Sequence, residues 1–161
     1  MTVSILTVSF LTMKEQELPA WVCTTLMRVG TRMAAGFDQH FAALGITQAQ
    51  FRTLLAVWEQ GGEQGITPSA LAEHLLIERA TISVLTNRMV EQGWLARKPG
   101  ANRRTFRLVL TETGAQLLQA LVPRAIALAN QTLSDIPSDQ LRQMSANLEL
   151  VEARLRTPPQ E

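Results

Sequence analysis

Two adjacent arginines, Arg103 and Arg104, stand in a run of turn-forming residues that begins at Pro99. Such residues place a loop at the protein surface, where an arginine can donate paired hydrogen bonds to a phosphate group. On either side of the loop, residues 94–98 and 105–111 have the length and composition of short strands. The sequence therefore predicts a β-hairpin that presents two guanidinium groups at its tip.

A second set of chemically useful side chains lies on one face of a helix predicted over residues 79–92. The inner face of this helix is formed by Ile82, Leu85, Thr86 and Met89. The outer face combines hydroxyl, amide, methyl and guanidinium groups, carried by Ala80, Thr81, Ser83, Val84, Asn87 and Arg88. Hydroxyl and amide groups can hydrogen-bond base edges in the major groove of DNA, and methyl groups can contact thymine. This composition is typical of a helix that reads base pairs.

The charge of the chain is concentrated around these two features. The 161 residues carry a net charge of only +1, yet seven basic residues and one acidic residue, Glu91, lie between Arg79 and Arg107. The remainder of the chain is therefore net acidic. A basic block inside an acidic chain indicates a local phosphate-binding surface and not a protein that coats nucleic acid indiscriminately.

Helices must position both features, and the sequence marks where these helices begin and end. Apolar residues at helical spacing predict a first helix from about residue 17 to 44, closed by Gly45. Thr47 and Gln50 form a capping box that opens a second helix, which ends near Gly62.

The helix over 79–92 follows a shorter third helix after a tight turn. Thr67 as N-cap and Pro68 at the first helical position predict that this third helix runs to about Leu75. Gly93 closes the fourth helix. A short helix, a turn and a longer helix form a helix-turn-helix.

The strands and the last two helices complete the expected architecture. In the second strand, the alternation predicts inward positions for Phe106, Leu108 and Leu110, and outward positions for Thr105, Arg107 and Val109. Thr111 caps a fifth helix that is expected to bend near Pro123, and Ser138 opens a sixth that runs to about Leu155. The sequence predicts one mainly α domain over residues 1–161, a winged helix-turn-helix of α+β class with a small β-hairpin wing.

In order along the chain, these residues resemble the MarR family of bacterial transcriptional regulators over roughly residues 18–155. The motifs that carry the resemblance are Gly45-Ile46-Thr47 with Gln50-Phe51, Ser69-Ala70-Leu71-Ala72-Glu73, Arg79-Ala80-Thr81-Ile82-Ser83, Asn87-Arg88-Met89-Val90-Glu91-Gln92-Gly93, Asn102-Arg103-Arg104, and Leu108-Val109-Leu110-Thr111-Glu112-Thr113-Gly114.

The resemblance implies that different segments of the chain bind DNA and form the dimer. Residues 46–111 would form the DNA-binding lobe, and residues 18–44 and 112–155 the helices that build a homodimer. The partner would be double-stranded DNA with a pseudo-palindromic operator, because a twofold dimer presents two recognition helices about one DNA turn apart.

Individual DNA contacts also follow from the resemblance. The fourth helix becomes the recognition helix, Arg104 the wing arginine, and the residues at the start of the third helix phosphate contacts. The complete set of DNA-binding candidates is Thr67, Ser69, Arg79, Ala80, Thr81, Ser83, Val84, Asn87, Arg88, Asn102, Arg103 and Arg104.

Three positions depart from the family pattern. Asn102 stands where an acid usually braces the wing arginine, Val84 where a basic residue is frequent, and Asn87 where an acid is common. An ion pair at Asn102 is thereby reduced to a hydrogen bond. These changes affect the operator sequence and the affinity, but they leave the fold unchanged.

Cys23, the single cysteine, allows two interpretations. It excludes an internal disulfide, and the favoured role is a small buried residue of the core or of an interface. Peroxide-sensing members of the family keep a reactive cysteine in the first helix, which makes a thiol sensor the alternative. Those sensors surround the thiol with tyrosines, and this chain contains none.

Effector binding is expected between the dimer helices and the DNA-binding lobes, where many relatives bind aromatic anions. The candidates are Trp21, Arg28, Arg32, Arg52 and Trp58. Apolar residues at helical spacing also serve simply as core, so both interpretations stand.

Other classes of function are disfavoured. Neither a spaced base partner for Cys23 nor a phosphate-binding glycine loop occurs, so the chain is not expected to be an enzyme. No cofactor is expected, and His40, His74 and Cys23 lack the spacing of a metal site. Residues 1–17 are expected to form an N-terminal arm, and the alternative is that Met13 is the natural start. The uncharged residues 1–13 lack the basic n-region of a signal peptide and are too short to span a membrane. A cytoplasmic location follows from the absence of a signal and of disulfides.

The sequence therefore predicts a sequence-specific DNA-binding transcriptional regulator, most simply a repressor released by a small aromatic or anionic effector. The alternatives are an oxidative-stress sensor that uses Cys23, and a winged-helix protein-interaction module without DNA binding.

Overall fold

The computed structural model describes residues 15–100 and 105–156. A 3₁₀ turn, Glu15–Glu17, precedes α1 (Leu18–Ala42), and α2 (Gln48–Ala56) continues into a π-helical segment, Val57–Gly61. The elements that follow are α3 (Pro68–Leu75), α4 (Arg79–Glu91), β1 (Leu95–Pro99), β2 (Phe106–Leu110), α5 (Glu112–Thr132) and α6 (Ser138–Arg156). The predicted order of four helices, a hairpin and two helices is confirmed.

The chain divides into two compact units. The first unit ends at Leu118 and the second begins at Gln119, within α5. In the first unit, α2, α3 and α4 pack on one another, α1 contacts α2, and the hairpin contacts α4 through β1 and α3 through β2. Predicted bounds for the arm, dimerisation helices and DNA-binding lobe remain predictions.

The start of α2 is fixed by hydrogen bonds from both sides. Thr47 Oγ1 accepts a hydrogen bond from the Gln50 backbone N–H, and Gln50 Oε1 accepts one from the Thr47 N–H, so the predicted capping box is confirmed. Asp38 of α1 accepts a further bond from the Gln48 N–H over 2.6 Å. Phe41 and Phe51, with ring centroids 5.2 Å apart, bury the junction of the two helices.

The helix-turn-helix also begins as predicted, but its turn contains a residue in an unusual conformation. Thr67 caps α3 by accepting from the Ala70 N–H, and Pro68 occupies the first helical position. After Leu75 the chain turns through Leu76, whose φ of 54° lies in the left-handed region. Gly93, at φ 73°, follows α4 and supports its predicted role as the helix stop.

The hairpin differs from the sequence prediction at one side chain. Its strands are antiparallel, with Ala96 opposite Val109 and Arg97 opposite Leu108. Val109, expected to face outward, is only 7% exposed. Residues 65–66 lie against β2, since Ile66 and Leu108 exchange backbone hydrogen bonds of 3.0 and 2.8 Å. This extra segment covers the face that simple alternation leaves to solvent.

The end of the hairpin is locked to the start of α5. The Thr111 hydroxyl donates to the Gly93 carbonyl over 2.5 Å and accepts from the Gly114 N–H over 3.0 Å, which confirms Thr111 as the cap of α5. Gly114 is buried against the Trp94 carbonyl, with no space for a Cβ atom. This contact fixes the start of α5 relative to the residues between α4 and β1.

The longer elements bring two further findings. The predicted second helix changes to π geometry after Ala56, which the spacing of apolar residues does not reveal.

α5 is assigned as a single helix from Glu112 to Thr132, with Pro123 inside it. Within residues 15–100 and 105–156, no helix is both long and apolar enough to cross a membrane.

Candidate nucleic-acid interface

The outer face of α4 is the centre of the candidate interface. Ile82, Thr86 and Met89 are buried and hold the helix on the lobe. The DNA-binding candidate Arg79 is exposed, and so are all the residues predicted to face outward: Ala80, Thr81, Ser83, Val84, Asn87 and Arg88. The Thr86 hydroxyl donates to the Ile82 carbonyl, so the one buried hydroxyl is satisfied within the helix. The orientation predicted from the sequence is confirmed, whereas contact of each residue with DNA stays a prediction.

The start of α3 provides a second element of the interface. Ser69 is exposed in the first turn, and Thr67 is half-buried with its hydroxyl accepting from the Ala70 N–H over 3.2 Å. The positive end of a helix dipole lies at this turn and favours a negative charge. Thr67 therefore stabilises the backbone of this turn, whereas contact of Ser69 with a phosphate stays a prediction.

A hydrogen bond between the hairpin and α4 was not predicted from the sequence. Arg97 of β1 donates from Nη2 to the Asn87 Oδ1 over 2.5 Å. The same guanidinium lies over the Phe106 ring, 4.8 Å from its centroid. Asn87 was predicted as a base contact, and in the structure its acceptor oxygen already accepts a hydrogen bond from Arg97. The only signal in the sequence was a basic residue in the first strand.

The hairpin also carries a lysine and an arginine that the sequence analysis left out of the site. Lys98 and Arg107 lie opposite each other in the strand register. Lys98 Nζ donates to the Glu63 carbonyl over 3.1 Å, and Arg107 Nη1 donates to the Gly65 carbonyl over 2.8 Å. Both cations therefore hold the hairpin against the segment that follows the π-helical turn.

The predicted tip contacts Asn102, Arg103 and Arg104 lie outside the described residues, as do residues 1–14 of the predicted arm. The described hairpin closes with a hydrogen bond of 2.9 Å from the Gly100 N–H to the Thr105 carbonyl.

The predicted effector residues lie on α1, on α2 and in the π-helical segment. Arg28, Arg32 and Trp58 are exposed, with Trp58 at 60%, and Arg52 reaches the Leu75 carbonyl over 3.5 Å. Trp21 is half-buried on α1. The cavity of about 290 Å³ in the first unit is lined by none of the five. Their assignment to an effector stays a prediction.

The position of Cys23 in the structure corrects one of the roles predicted for it. The thiol is exposed in the single chain, so burial in the core of one subunit is wrong. The reason is that α1 is exposed over most of its length within the single chain, and Phe41 is its one buried residue. Burial in an interface and oxidation of the thiol are both compatible with this position. Across the described ranges, no group of histidine, cysteine, aspartate and glutamate side chains suits a metal ion.

Comparisons with known proteins converge on one group of regulators. The family model described as MarR family matches residues 44–104, the segment that contains α2, α3, α4 and β1. The HTH-type transcriptional regulator PecS of Dickeya dadantii is 27% identical over 138 residues, which cover 85% of this chain and 83% of PecS.

Two further proteins illustrate the range of the similarity. The organic hydroperoxide resistance transcriptional regulator of Bacillus subtilis is 28% identical over 107 residues, or 66% of this chain and 71% of the relative. Among solved structures, the transcriptional regulator MOSR of M. tuberculosis, in complex with DNA, superposes with a TM-score of 0.65 at 26% identity. That superposition covers 84% of this chain and 98% of the MOSR chain. The resemblance predicted from the sequence is confirmed.

Proposed function

We propose that this chain is a MarR-family transcriptional regulator that binds a specific pseudo-palindromic DNA site as a homodimer and represses transcription from the promoter there, since the MarR family model matches residues 44–104. The observation that carries this proposal is the exposed outer face of α4, where hydroxyl, amide and guanidinium groups lie beside a basic hairpin. A dimer seated on a promoter excludes polymerase by occupying the site. A protein that represses bacterial promoters in this way acts in the cytoplasm.

Dimer formation is supported first by α1. Leu18, Val22, Val29 and Met33 are each between 37% and 45% exposed and recur on one side of this helix. Large apolar side chains aligned along one face lose contact with water only when another surface covers them.

An exposed apolar face also occurs on α6, in the second unit. No residue of this 19-residue helix is buried, although its sequence is amphipathic. Met144, Leu148, Val151 and Leu155 form one stripe, and each is at least 38% exposed. Since most helices in proteins are stabilised by packing of an apolar face, α6 requires a partner for this stripe. A second copy of the chain is the partner that the family implies.

The test of DNA binding is selection of bound duplexes from a random pool with the full chain. We expect a recovered pseudo-palindrome whose half-sites lie about 10 base pairs apart, centre to centre. Arg88→Ala should weaken binding to that duplex, whereas Arg154→Ala, which removes the same charge from α6, should not. Failure to enrich any sequence, or equal losses for both variants, would contradict the proposal.

Salt dependence separates this proposal from a protein-interaction module that does not use DNA. A DNA-binding surface that neutralises several phosphates loses affinity steeply as the salt concentration rises. A plot of the logarithm of the association constant against the logarithm of the salt concentration has a slope of about −0.9 per neutralised phosphate. The alternative predicts weak and nearly salt-independent association. Measurement of the dissociation constant at several salt concentrations therefore distinguishes the two.

Thiol sensing is the second candidate function, favoured by the exposure of Cys23 and by the relative named for organic hydroperoxide resistance. In this reaction the thiolate sulfur attacks the terminal peroxide oxygen and the O–O bond breaks. The sulfur becomes a sulfenic acid and the alkoxide leaves as an alcohol after taking up a proton. Cys23→Ser should abolish release of DNA by an organic hydroperoxide. Met27→Leu, which removes an exposed methionine one turn away, controls for sulfoxide formation. Unchanged release in Cys23→Ser would eliminate this candidate.

A further inference from the structure

Asn87 lies on the exposed outer face of α4, the surface proposed to read base pairs. Its side-chain amide carries two kinds of polar group, an oxygen that accepts hydrogen bonds and an NH₂ group that donates them. An amide that uses both groups recognises adenine, because its oxygen accepts from the adenine N6 amino group while its NH₂ group donates to N7. The availability of the oxygen therefore decides which base Asn87 can select.

Arg97 of β1 occupies this oxygen. Its Nη2 donates to Asn87 Oδ1 over 2.5 Å, a short hydrogen bond assisted by the charge of the guanidinium. A guanidinium carries donors and no acceptor, so the atom of Asn87 that meets it has to be the oxygen. The NH₂ group takes no part in this bond and is left for a base.

The guanidinium of Arg97 is also held from a second side. It lies over the Phe106 ring of β2, 4.8 Å from the ring centroid. β1 packs against α4, so the cation reaches Asn87 from a strand that is in contact with the same helix. In the part of the chain that the structure describes, the one ion pair joins Arg156 to Glu152, and no carboxylate there competes with Asn87 for this cation. The packing of the hairpin on α4 therefore sets the pair.

Together, Arg97 and Asn87 present a donor-rich and positively charged group. The bond to Asn87 uses one of the five N–H donors of the guanidinium. The Asn87 oxygen has a second lone pair, but the cation beside it repels the positively polarised hydrogens of an adenine amino group. Recognition of adenine through both groups of the amide is thereby disfavoured.

Guanine has the complementary edge in the major groove. Its N7 and O6 are adjacent acceptors, and neither position carries a hydrogen. Thymine offers one acceptor, O4, beside a methyl group, and cytosine offers an amino donor. Guanine is therefore the base whose edge satisfies most of the donors that this pair presents.

We propose that Arg97 makes Asn87 select guanine, so that each half-site of the bound DNA carries a guanine and not an adenine opposite Asn87, an inference that rests on the proposed function. Asn87 is the residue that determines specificity at this base. Arg97 is a positioning residue, which acts by engaging the oxygen of Asn87.

The experiment is selection of bound duplexes from a random pool with the full chain, followed by equilibrium binding to duplexes that differ at one base pair. Asn87→Ala locates the base pair, because it should abolish the preference at that position of each half-site and at no other. Wild-type protein should bind guanine there roughly tenfold more tightly than adenine. A preference for adenine, or an Asn87→Ala protein with unchanged preferences, would overturn the assignment.

Two variants separate the contributions of the two side chains. Asn87→Asp keeps an oxygen for Arg97 but removes the NH₂ donors, so the preference for guanine should be lost. Arg97→Met keeps an unbranched side chain but releases the Asn87 oxygen, so the preference should move toward adenine. A guanine preference that survives either substitution contradicts the proposed roles.

Lys98→Met is the matched control for the loss of charge. It removes one positive charge at the next position of β1, where Lys98 Nζ donates to the Glu63 carbonyl and not to α4. This variant should keep the guanine preference of the wild type. A shift of that preference in Lys98→Met, or an equal loss of affinity for all four bases in Arg97→Met, would show that Arg97 acts through its charge alone, against the proposal.

The same selection distinguishes the guanine assignment from the proposed function. A pseudo-palindrome recovered with adenine opposite Asn87 would overturn the assignment and leave the proposed function standing. Recovery of no sequence would defeat both. If Arg97→Met does not fold, Asn87→Asp decides the question, because it changes neither the hairpin nor the size of an exposed side chain on α4.

Discussion

Arg97 donates a hydrogen bond to the Asn87 side chain over 2.5 Å, and this bond ties the first strand of the wing to the outer face of α4. Stacking of the same guanidinium on Phe106 limits its freedom to move away. One amide on the proposed recognition helix is therefore oriented by the wing before any DNA arrives. Its NH₂ group, which the bond does not use, remains the part of Asn87 that can read a base.

The first prediction concerns this pair. If Arg97 positions Asn87, Arg97→Ala and Asn87→Ala should not have additive effects on DNA affinity. We expect a coupling energy of about 1 kcal/mol in a double-mutant cycle, measured by equilibrium binding to the selected duplex. Phe106→Leu, which removes the ring but leaves both partners, serves as the comparison variant. Additive effects would show that Arg97 and Asn87 contact DNA independently.

The second prediction separates backbone contacts from base contacts. Arg104→Ala should weaken binding evenly across sequences and reduce the salt slope by about 0.9, because one phosphate contact is lost. Ser83→Ala should instead change the preference at particular bases, at a cost of about 1–3 kcal/mol for the preferred site. Parallel measurements on the selected duplex and on single-base variants distinguish the two patterns. The reverse pattern would exchange the two roles.

A third prediction tests the apolar stripe of α6. Leu148→Glu places a charge within the stripe and should shift the protein to a monomer, as measured by analytical ultracentrifugation. Affinity for the palindromic duplex should fall together with dimerisation, since a monomer contacts only one half-site. Leu150→Glu introduces the same charge on another side of the helix, at a residue that is 67% exposed, and should remain dimeric. A dimeric Leu148→Glu protein would place the interface elsewhere.

A fourth prediction uses the strained turn between α3 and α4. Leu76 has a φ of 54° and is 86% exposed, so its side chain contributes little burial to offset the strain. A left-handed backbone conformation costs an L-residue about 1–2 kcal/mol, and a glycine at this position avoids that cost. Glycine also has greater freedom in the unfolded chain, which lowers the stability by about 0.4–1 kcal/mol and offsets part of the gain. Leu76→Gly should therefore raise the free energy of unfolding by about 0.5–1 kcal/mol.

The matched control at this position is Leu76→Ala, which removes the exposed side chain but keeps the Cβ atom. It should not gain stability. Urea unfolding of both variants at one protein concentration measures the difference. Equal stabilisation of the two would attribute the effect to the loss of an exposed apolar side chain and not to the backbone.

The fifth prediction concerns the junction of the wing and α5. Gly114 leaves no space for a Cβ atom beside the Trp94 carbonyl. Gly114→Ala should lower the free energy of unfolding by at least about 2 kcal/mol, since backbone must shift and the cap at Thr111 is disturbed. Gly30→Ala, within α1 and without any neighbour at its Cβ position, should instead gain about 0.5–1 kcal/mol. Thermal or urea unfolding checks both, and a Gly114→Ala protein as stable as the wild type would refute the packing argument.

Local structure could be predicted from the sequence because its causes lie within a few residues. The cap at Thr47 depends on Gln50, the cap at Thr67 on Ala70, and the end of α4 on the glycine that follows it. The inner and outer faces of α4 followed from helical spacing alone, and the exposures of Ile82 and Ser83 agree with it. The order of the elements and the position of the proposed recognition helix therefore needed no tertiary information.

Contacts between distant segments were decided only by the tertiary structure. Val109 is buried because residues 65–66 pair with β2, and no alternation within a strand reveals what lies above it. The hydrogen bond from Arg107 to the Gly65 carbonyl likewise joins residues that are 42 positions apart in the sequence. Asn87 acquired its partner Arg97 because α4 and β1 pack together. Periodicity reports which side of an element avoids water, whereas the identity of the covering residues depends on how the elements pack.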